Sequence, residues 1–104
     1  MSLKLSIISI EQIIFTGEVD DIILPGEVAP FEILPSHAPI ISTLVEGVIS
    51  FSPVVSLTDE QLPEMVEREE AEEGATESSK RLRIKISGGI AEMNEDVVTI
   101  CVTL

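Results

Sequence analysis

The sequence predicts an all-β domain, a sandwich or a barrel, from three observations. Hydrophobic residues make up 44% of the 104-residue chain while aromatics are limited to three phenylalanines, so Ile, Val and Leu must fill the interior. Those residues suit a pleated, half-buried surface. Short apolar-polar alternations recur with turn residues between them, and no convincing amphipathic helix interrupts the pattern. The length corresponds to one domain with an adequate but not large core.

Each element has its own signal. Leu3-Lys4-Leu5-Ser6-Ile7 alternates with period two, and Ser9 to Gln12 breaks it as a turn would. Ile13 to Phe15 and Glu18 to Leu24 read as strand pieces about Gly17, where a bulge or bend is expected. Ile22-Ile23-Leu24 puts apolar groups on both faces, which suits an interior position or a covered outer face. Ile40 to Leu44 and Val48 to Phe51 are two more strands, expected to be joined by a tight turn at Glu46-Gly47. Leu82 to Ile86 alternates cleanly, with Arg81, Arg83 and Lys85 on the opposite face. Ser87-Gly88-Gly89 interrupts, Ile90 to Met93 resumes, and Asn94-Glu95-Asp96 turns into a last strand burying Val98, Ile100, Val102 and Leu104.

Charge is concentrated in one place. Asp59 to Glu77 holds nine acidic residues and one basic one, Arg68, a net of −8; removing it from the total of −13 leaves −5 for everything else. This segment, about Pro53 to Ser79, reads as an acidic insertion in one hairpin, either disordered or a short helix. The disordered reading rests on charge that opposes collapse. The helical reading starts at Thr58 as N-cap, runs through Glu64 to Glu73 and ends at Gly74. Leu62, Met65 and Val66 are its only apolar stripe, so its acids would have to fold back toward Arg81, Arg83 and Lys85.

The stretch Leu24 to Pro39 holds four of the six prolines and the only histidine. Proline presets turn geometry and pushes each preceding residue toward extended backbone, so a stiff, presented loop with corners at Pro25-Gly26 and Pro35 to Pro39 is expected.

Composition excludes several function classes. A charge of −13 without a large basic patch opposes nucleic-acid binding. No apolar run reaches the roughly 20 residues of a membrane span, so no direct membrane insertion is expected. The N-terminus lacks a signal or transit pattern. One cysteine, Cys101, allows neither an internal disulfide nor a cysteine-based zinc site and reads as a strand residue. His37 has no second histidine, so it reads as a loop or contact residue, not a metal ligand or base. Adjacent Asp20 and Asp21 on a strand point to opposite faces and read as solvated charges. Ser87-Gly88-Gly89 lacks a following helix and a P-loop lysine, which makes it a bend. No nucleophile-base constellation is present, and catalytic residues, cofactor and metal are all expected to be none.

A family resemblance emerges from these same stretches. Leu24-Pro25-Gly26, Phe31, and Ile33-Leu34-Pro35-x-His37-Ala38-Pro39-Ile40 resemble the epsilon subunit of F-type ATP synthases, the counterpart of the mitochondrial delta subunit. Phe15-Thr16-Gly17-Glu18-Val19-Asp20, Leu44-x-x-Gly47-Val48-Ile49, Ile86-Ser87-Gly88-Gly89-Ile90-Ala91-Glu92 and Val97-Val98-Thr99-Ile100 extend it over residues 3 to 52 and 82 to 102. The resemblance implies a flattened antiparallel β-sandwich over 1–104, interrupted by the acidic insert. It implies a non-catalytic central-stalk rotor subunit of a proton-translocating ATP synthase, binding gamma and coupling it to the c-ring during ATP synthesis. The implied contact loop carries Gly26, Glu27, Phe31, Glu32, Ser36 and His37. The implied location is peripheral, at the cytoplasmic face of a bacterial inner membrane. This chain has Ala29, Pro30 and Glu32 where relatives commonly carry glycine, a small or acidic residue, and glycine. Many relatives continue into a C-terminal helical hairpin; with the sequence ending at Leu104, no self-inhibition and no ATP site are expected.

Two other readings compete. A free-standing acidic β-sandwich module would use the insert to bind a basic protein. A small hydrolase or isomerase is opposed by the missing catalytic constellation.

Overall fold

The computed structural model describes residues 1–71, 73–74 and 79–104. Its strands are β1 (Leu3–Ile8), β2 (Ile13–Pro25), β3 (Pro30–Ile33), β4 (Ile40–Leu44), β5 (Gly47–Pro53), β6 (Glu67–Arg68), β7 (Leu82–Ile86), β8 (Gly88–Asn94) and β9 (Val97–Thr103). They form one sheet in the order β4-β8-β9-β1-β2-β5-β7-β6, with β3 also paired to β2. All ladders are antiparallel except β1 with β9. A sheet this wide with one apolar face must fold over to bury it, which produces the expected sandwich.

Strand β2 makes that fold possible. Its first half pairs with β1, as in Leu3 with Val19 and Ile7 with Phe15, and its second half pairs with β3 and β5. Between Val19 and Ile22 it takes three steps while β5 takes two, from Pro53 to Phe51, so an extra residue is accommodated at Asp20-Asp21. The bend expected at Gly17 is therefore displaced. Gly17 stays in register with Leu5; a Cβ there would sit 3.1 Å from the Phe15 ring, so the glycine makes room for that ring. Phe15 in turn meets Phe51 at a ring separation of 4.6 Å.

The tight turn expected at Glu46-Gly47 does not join paired strands. β4 bonds to β8, whereas β5 bonds to β2 and β7. Here the chain changes layers, because Val45 N–H donates to Pro25 O at 2.9 Å and Gly26 bridges Leu44. Ser87 makes a second layer change between β7 and β8, as the bend reading required. The turn from β8 to β9 has positive φ at Glu95 and Asp96, 50° and 62°, the pattern of a two-residue hairpin. Alternation in β9 holds through Val102, but Leu104 lies beyond the strand and is 46% exposed.

In the insert, the described residues contain no helix over 64–73; Glu72 and residues 75–78 lie outside them. Thr58 does open a turn of 3-10 helix, Asp59–Gln61, where its N–H donates to Gln61 Oε1 at 2.9 Å. After it the chain extends, and Glu67-Arg68 pair with Arg83 and Leu82 as an added edge strand. Extension wins because a weak apolar stripe would have anchored a helix poorly, while this path buries Val66 in the core beside partly buried Leu57 and Leu62. Gly74 has a φ of 87°, and no α-helix precedes it among the described residues of the insert.

One glycine tests the sandwich directly. A Cβ on Gly89 would lie 2.5 Å from the Cys101 carbonyl oxygen of the neighbouring strand. Gly89→Ala is expected to lower unfolding stability by about 1–3 kcal/mol, seen as a reduced urea midpoint with an unchanged slope.

Candidate functional site

The Leu24-to-Pro39 stretch is part strand and part corner. β3 folds back on β2 from Ile22 with Ile33 to Pro25 with Pro30, leaving Gly26 to Ala29 as an exposed tip. Presentation is thus confined to the tip and the second corner, since Leu24 and Ile33 are fully buried. Glycine at 26 is required by contact: a Cβ there would meet the Phe31 ring at 2.9 Å and the Ala29 oxygen at 2.8 Å. Ala29 keeps a negative φ, so the tip forms without glycine there.

The Pro35-to-Pro39 corner is tied elsewhere. Ser36 has a φ of 70°, and its N–H donates to the Asp96 carboxylate at 2.7 Å. His37 is half-buried; its N–H donates to Leu34 O at 3.1 Å, and its Nδ1 lies 2.7 Å from Ala38 O. Its contacts are those of a backbone-satisfied loop histidine. The six expected contact residues therefore divide. Gly26 and Glu27 form the tip, Ser36 and His37 the corner, and β3 separates the pairs by roughly 10 Å of strand. Phe31 packs over Gly26 and is only partly exposed, while Glu32 is exposed on β3. Val28, which sequence reasoning passed over, is fully exposed at the tip.

A polar cluster lies behind this surface. Asp21, read from sequence as solvated, is 8% exposed. Both its oxygens accept from Arg81, from Nη1 and Nη2 at 2.9 Å each. The extra residue in β2 rotates Asp21 inward, whereas Asp20 remains outside and pairs with Lys80 at 3.0 Å. Arg81 Nε donates to Ser50 Oγ at 2.7 Å, and Ser50 Oγ donates to Glu69 Oε1 at 2.6 Å. The insert's acids do fold back as expected, Glu69 toward Arg81 and Glu67 to 3.7 Å from Arg83, but from extended chain. Lys85 gains no carboxylate partner among the described residues.

Burial raises the Asp21 carboxyl, but the hydrogen bonds to Arg81 and Glu32 outweigh it and hold it below the ordinary aspartate range. Glu32 is pushed up by its hydrogen bond to Asp21, with desolvation adding to the shift. No grouping of His, Cys, Asp and Glu suited to a metal occurs among the described residues.

The family model for the β-sandwich domain of the ATP synthase delta/epsilon chain matches residues 2–59, more than half the sequence. The chain belongs to this family. The ATP synthase epsilon chain of Nitratiruptor is 33% identical over 97 residues, covering 81% of this chain and 75% of its own length. That of Leptospira interrogans is 51% identical over 47 residues, 45% of this chain and 37% of its own. That of Bordetella parapertussis is 31% identical over 99 residues, 95% and 54% respectively. The chain thus spans only a third to a half of the latter two relatives. In fold, it matches a chain of the Euglena gracilis mitochondrial ATP synthase in a structure with its c-ring, at TM-score 0.68 and 19% identity over 99% of this chain and 51% of that one. A central stalk/c-ring structure of the Tetrahymena thermophila enzyme matches at TM-score 0.64 and 11% identity over 100% of this chain and 65% of its own.

The family match ends where the 3-10 turn of the insert begins, so Glu69 lies outside the matched stretch. Within this epsilon-type domain no short motif announces Arg81 as the centre of a cluster. The available signal was Arg81's place at the start of an alternating strand, opposite Leu82.

Breaking one side of the Arg81–Asp21 pair leaves a buried charge unmatched. Arg81→Met is expected to cost about 2–4 kcal/mol by urea unfolding, and the double variant with Asp21→Asn less than the sum of the singles. Glu32 has the opposite sign. Its folded-state value is raised above the ordinary 4.5, so the native state favours the protonated form and ionisation at higher pH opposes folding. Glu32→Gln is expected to melt higher than wild type near pH 7, the advantage vanishing as pH falls below about 4.5, in a Tm series. Retention of the full advantage in acid would contradict that assignment.

Proposed function

We propose that this chain serves as a non-catalytic rotor subunit of the central stalk in a proton-translocating F-type ATP synthase, where it binds gamma and couples it to the c-ring. Family membership supports the reading. The surface that best fits gamma is the outer face of β4, β8, β9 and β1. In a chain of charge −13, that face presents Ile41, Thr43, Ile90, Thr99, Cys101 and Ser6, and its strand positions carry charge only at Lys4 and Glu92. Ile41 is 77% and Ile90 54% exposed, and a shallow groove of about 410 Å³ lies beside Ile90 and Cys101. Contiguous apolar exposure of this kind marks a protein-binding surface.

The tip at Gly26 and Glu27, with Glu32 beside it, and the corner at Ser36 and His37 are then the contact points toward the c-ring and adjacent gamma surface. They are anchored differently, the tip by the Val45 and Leu44 contacts and the corner by Asp96. Two stiff, separately braced projections suit a subunit that transmits torque, since close-packed interiors pass strain on. A peripheral seat at the cytoplasmic face of a bacterial membrane belongs to the same reading and rests on family membership.

Co-expression with gamma of the same genome, followed by size exclusion and native mass, tests the reading. A one-to-one complex is expected for the wild type and after deletion of residues 54 to 78. Ile41→Lys with Ile90→Lys should weaken it at least about tenfold while leaving the fold intact. Failure of wild type to form a complex would overturn the assignment. Loss only on deletion would move the interface to the insert and favour the acidic-module reading.

A further inference from the structure

The insert is fastened to the sandwich chiefly by polar contacts, at two points. Arg68, with a side chain 18% exposed, closes the neck: it donates to the Leu57 carbonyl, to Ser79 O at 2.8 Å and to Asp59 Oδ1 at 2.9 Å. Glu69 makes the second fastening. Its N–H donates to Arg81 O at 2.9 Å, and its carboxylate accepts the Ser50 hydroxyl, which itself accepts from Arg81 Nε. Ser50 is 7% exposed, so its hydroxyl satisfies both neighbours at once without help from bulk solvent. Against these, Val66 is the only apolar side chain that the segment 54–71 buries fully, and β6 covers only Leu82 and Arg83 of the five-residue β7.

The charges around this latch are unbalanced. Asp20 and Asp21 of β2 and Asp59, Glu67 and Glu69 of the insert face Arg68, Lys80, Arg81 and Arg83.

We propose that residues 54–71 form a releasable strap over the edge of β7, latched by the Ser50 hydroxyl between Arg81 and Glu69. Closed, the strap covers the backbone of Leu82 and Arg83. Open, it bares that edge while the sandwich behind it stays folded. Local opening of a weakly packed unit, with the rest of the domain intact, is the ordinary behaviour of such an element.

Amide hydrogen exchange on the intact chain tests the latch. Ser50→Ala, and Glu69→Ala as a second variant at a partly exposed position, should each speed exchange at 67–69 by roughly tenfold, with protection in β8 and β9 unchanged. Raising salt from about 0.05 M to about 0.5 M should speed them in the wild type. The proposal is overturned if both latch variants leave 67–69 at the wild-type rate, or if those amides open only together with β8 and β9.

Discussion

The architecture depends on the irregular step in β2 at Asp20-Asp21. Thirteen residues of continuous strand can serve both layers only if the chain rotates between them, and an extra residue opposite β5 supplies that rotation. The same step brings Asp21 into a largely buried position. A carboxylate cannot remain there unpaired, and the bidentate contact with Arg81 compensates its lost hydration. Arg81 precedes β7, so the bend in one strand also fixes where another begins.

From that pair the polar contacts run outward, through Ser50 and Glu69, into the acidic insert. Part of the insert's charge therefore belongs to the fold: Asp59 and Glu67 pair with Arg68 and Arg83, and Glu69 reaches Arg81 through Ser50. The outer face of β4, β8, β9 and β1 carries little of it. Charge is thereby concentrated away from that face, where Ile41 and Ile90 stand exposed on a strongly acidic chain.

How far the sequence could be read varied from element to element. Alternation located β1, β7 and β9, because one buried face imposes period two directly on the residue types. The Pro-rich corners and the 94–96 turn were also legible, since proline and turn residues act locally. The reading failed where a long-range partner decided the outcome. Gly17 looked like a bend, yet it accommodates Phe15. Glu46-Gly47 looked like a hairpin, yet Pro25 draws the chain to the other layer. Helical composition over 64–73 lost to an edge on β7 and a buried Val66, and Asp21 looked solvated until Arg81 stood beside it.

By itself, then, the sequence determined an all-β sandwich, its principal strands, its acidic segment and its family, because these follow from periodicity, composition and local backbone preference. Tertiary structure alone decided which strands pair, where β2 bends, that the six expected contact residues are spread over a tip, strand β3 and a corner, and that Arg81 joins β2 and β5 to the insert. Those outcomes depend on groups as many as sixty residues apart, as Asp21 and Arg81 are. Their attraction exists only once packing has excluded water around them.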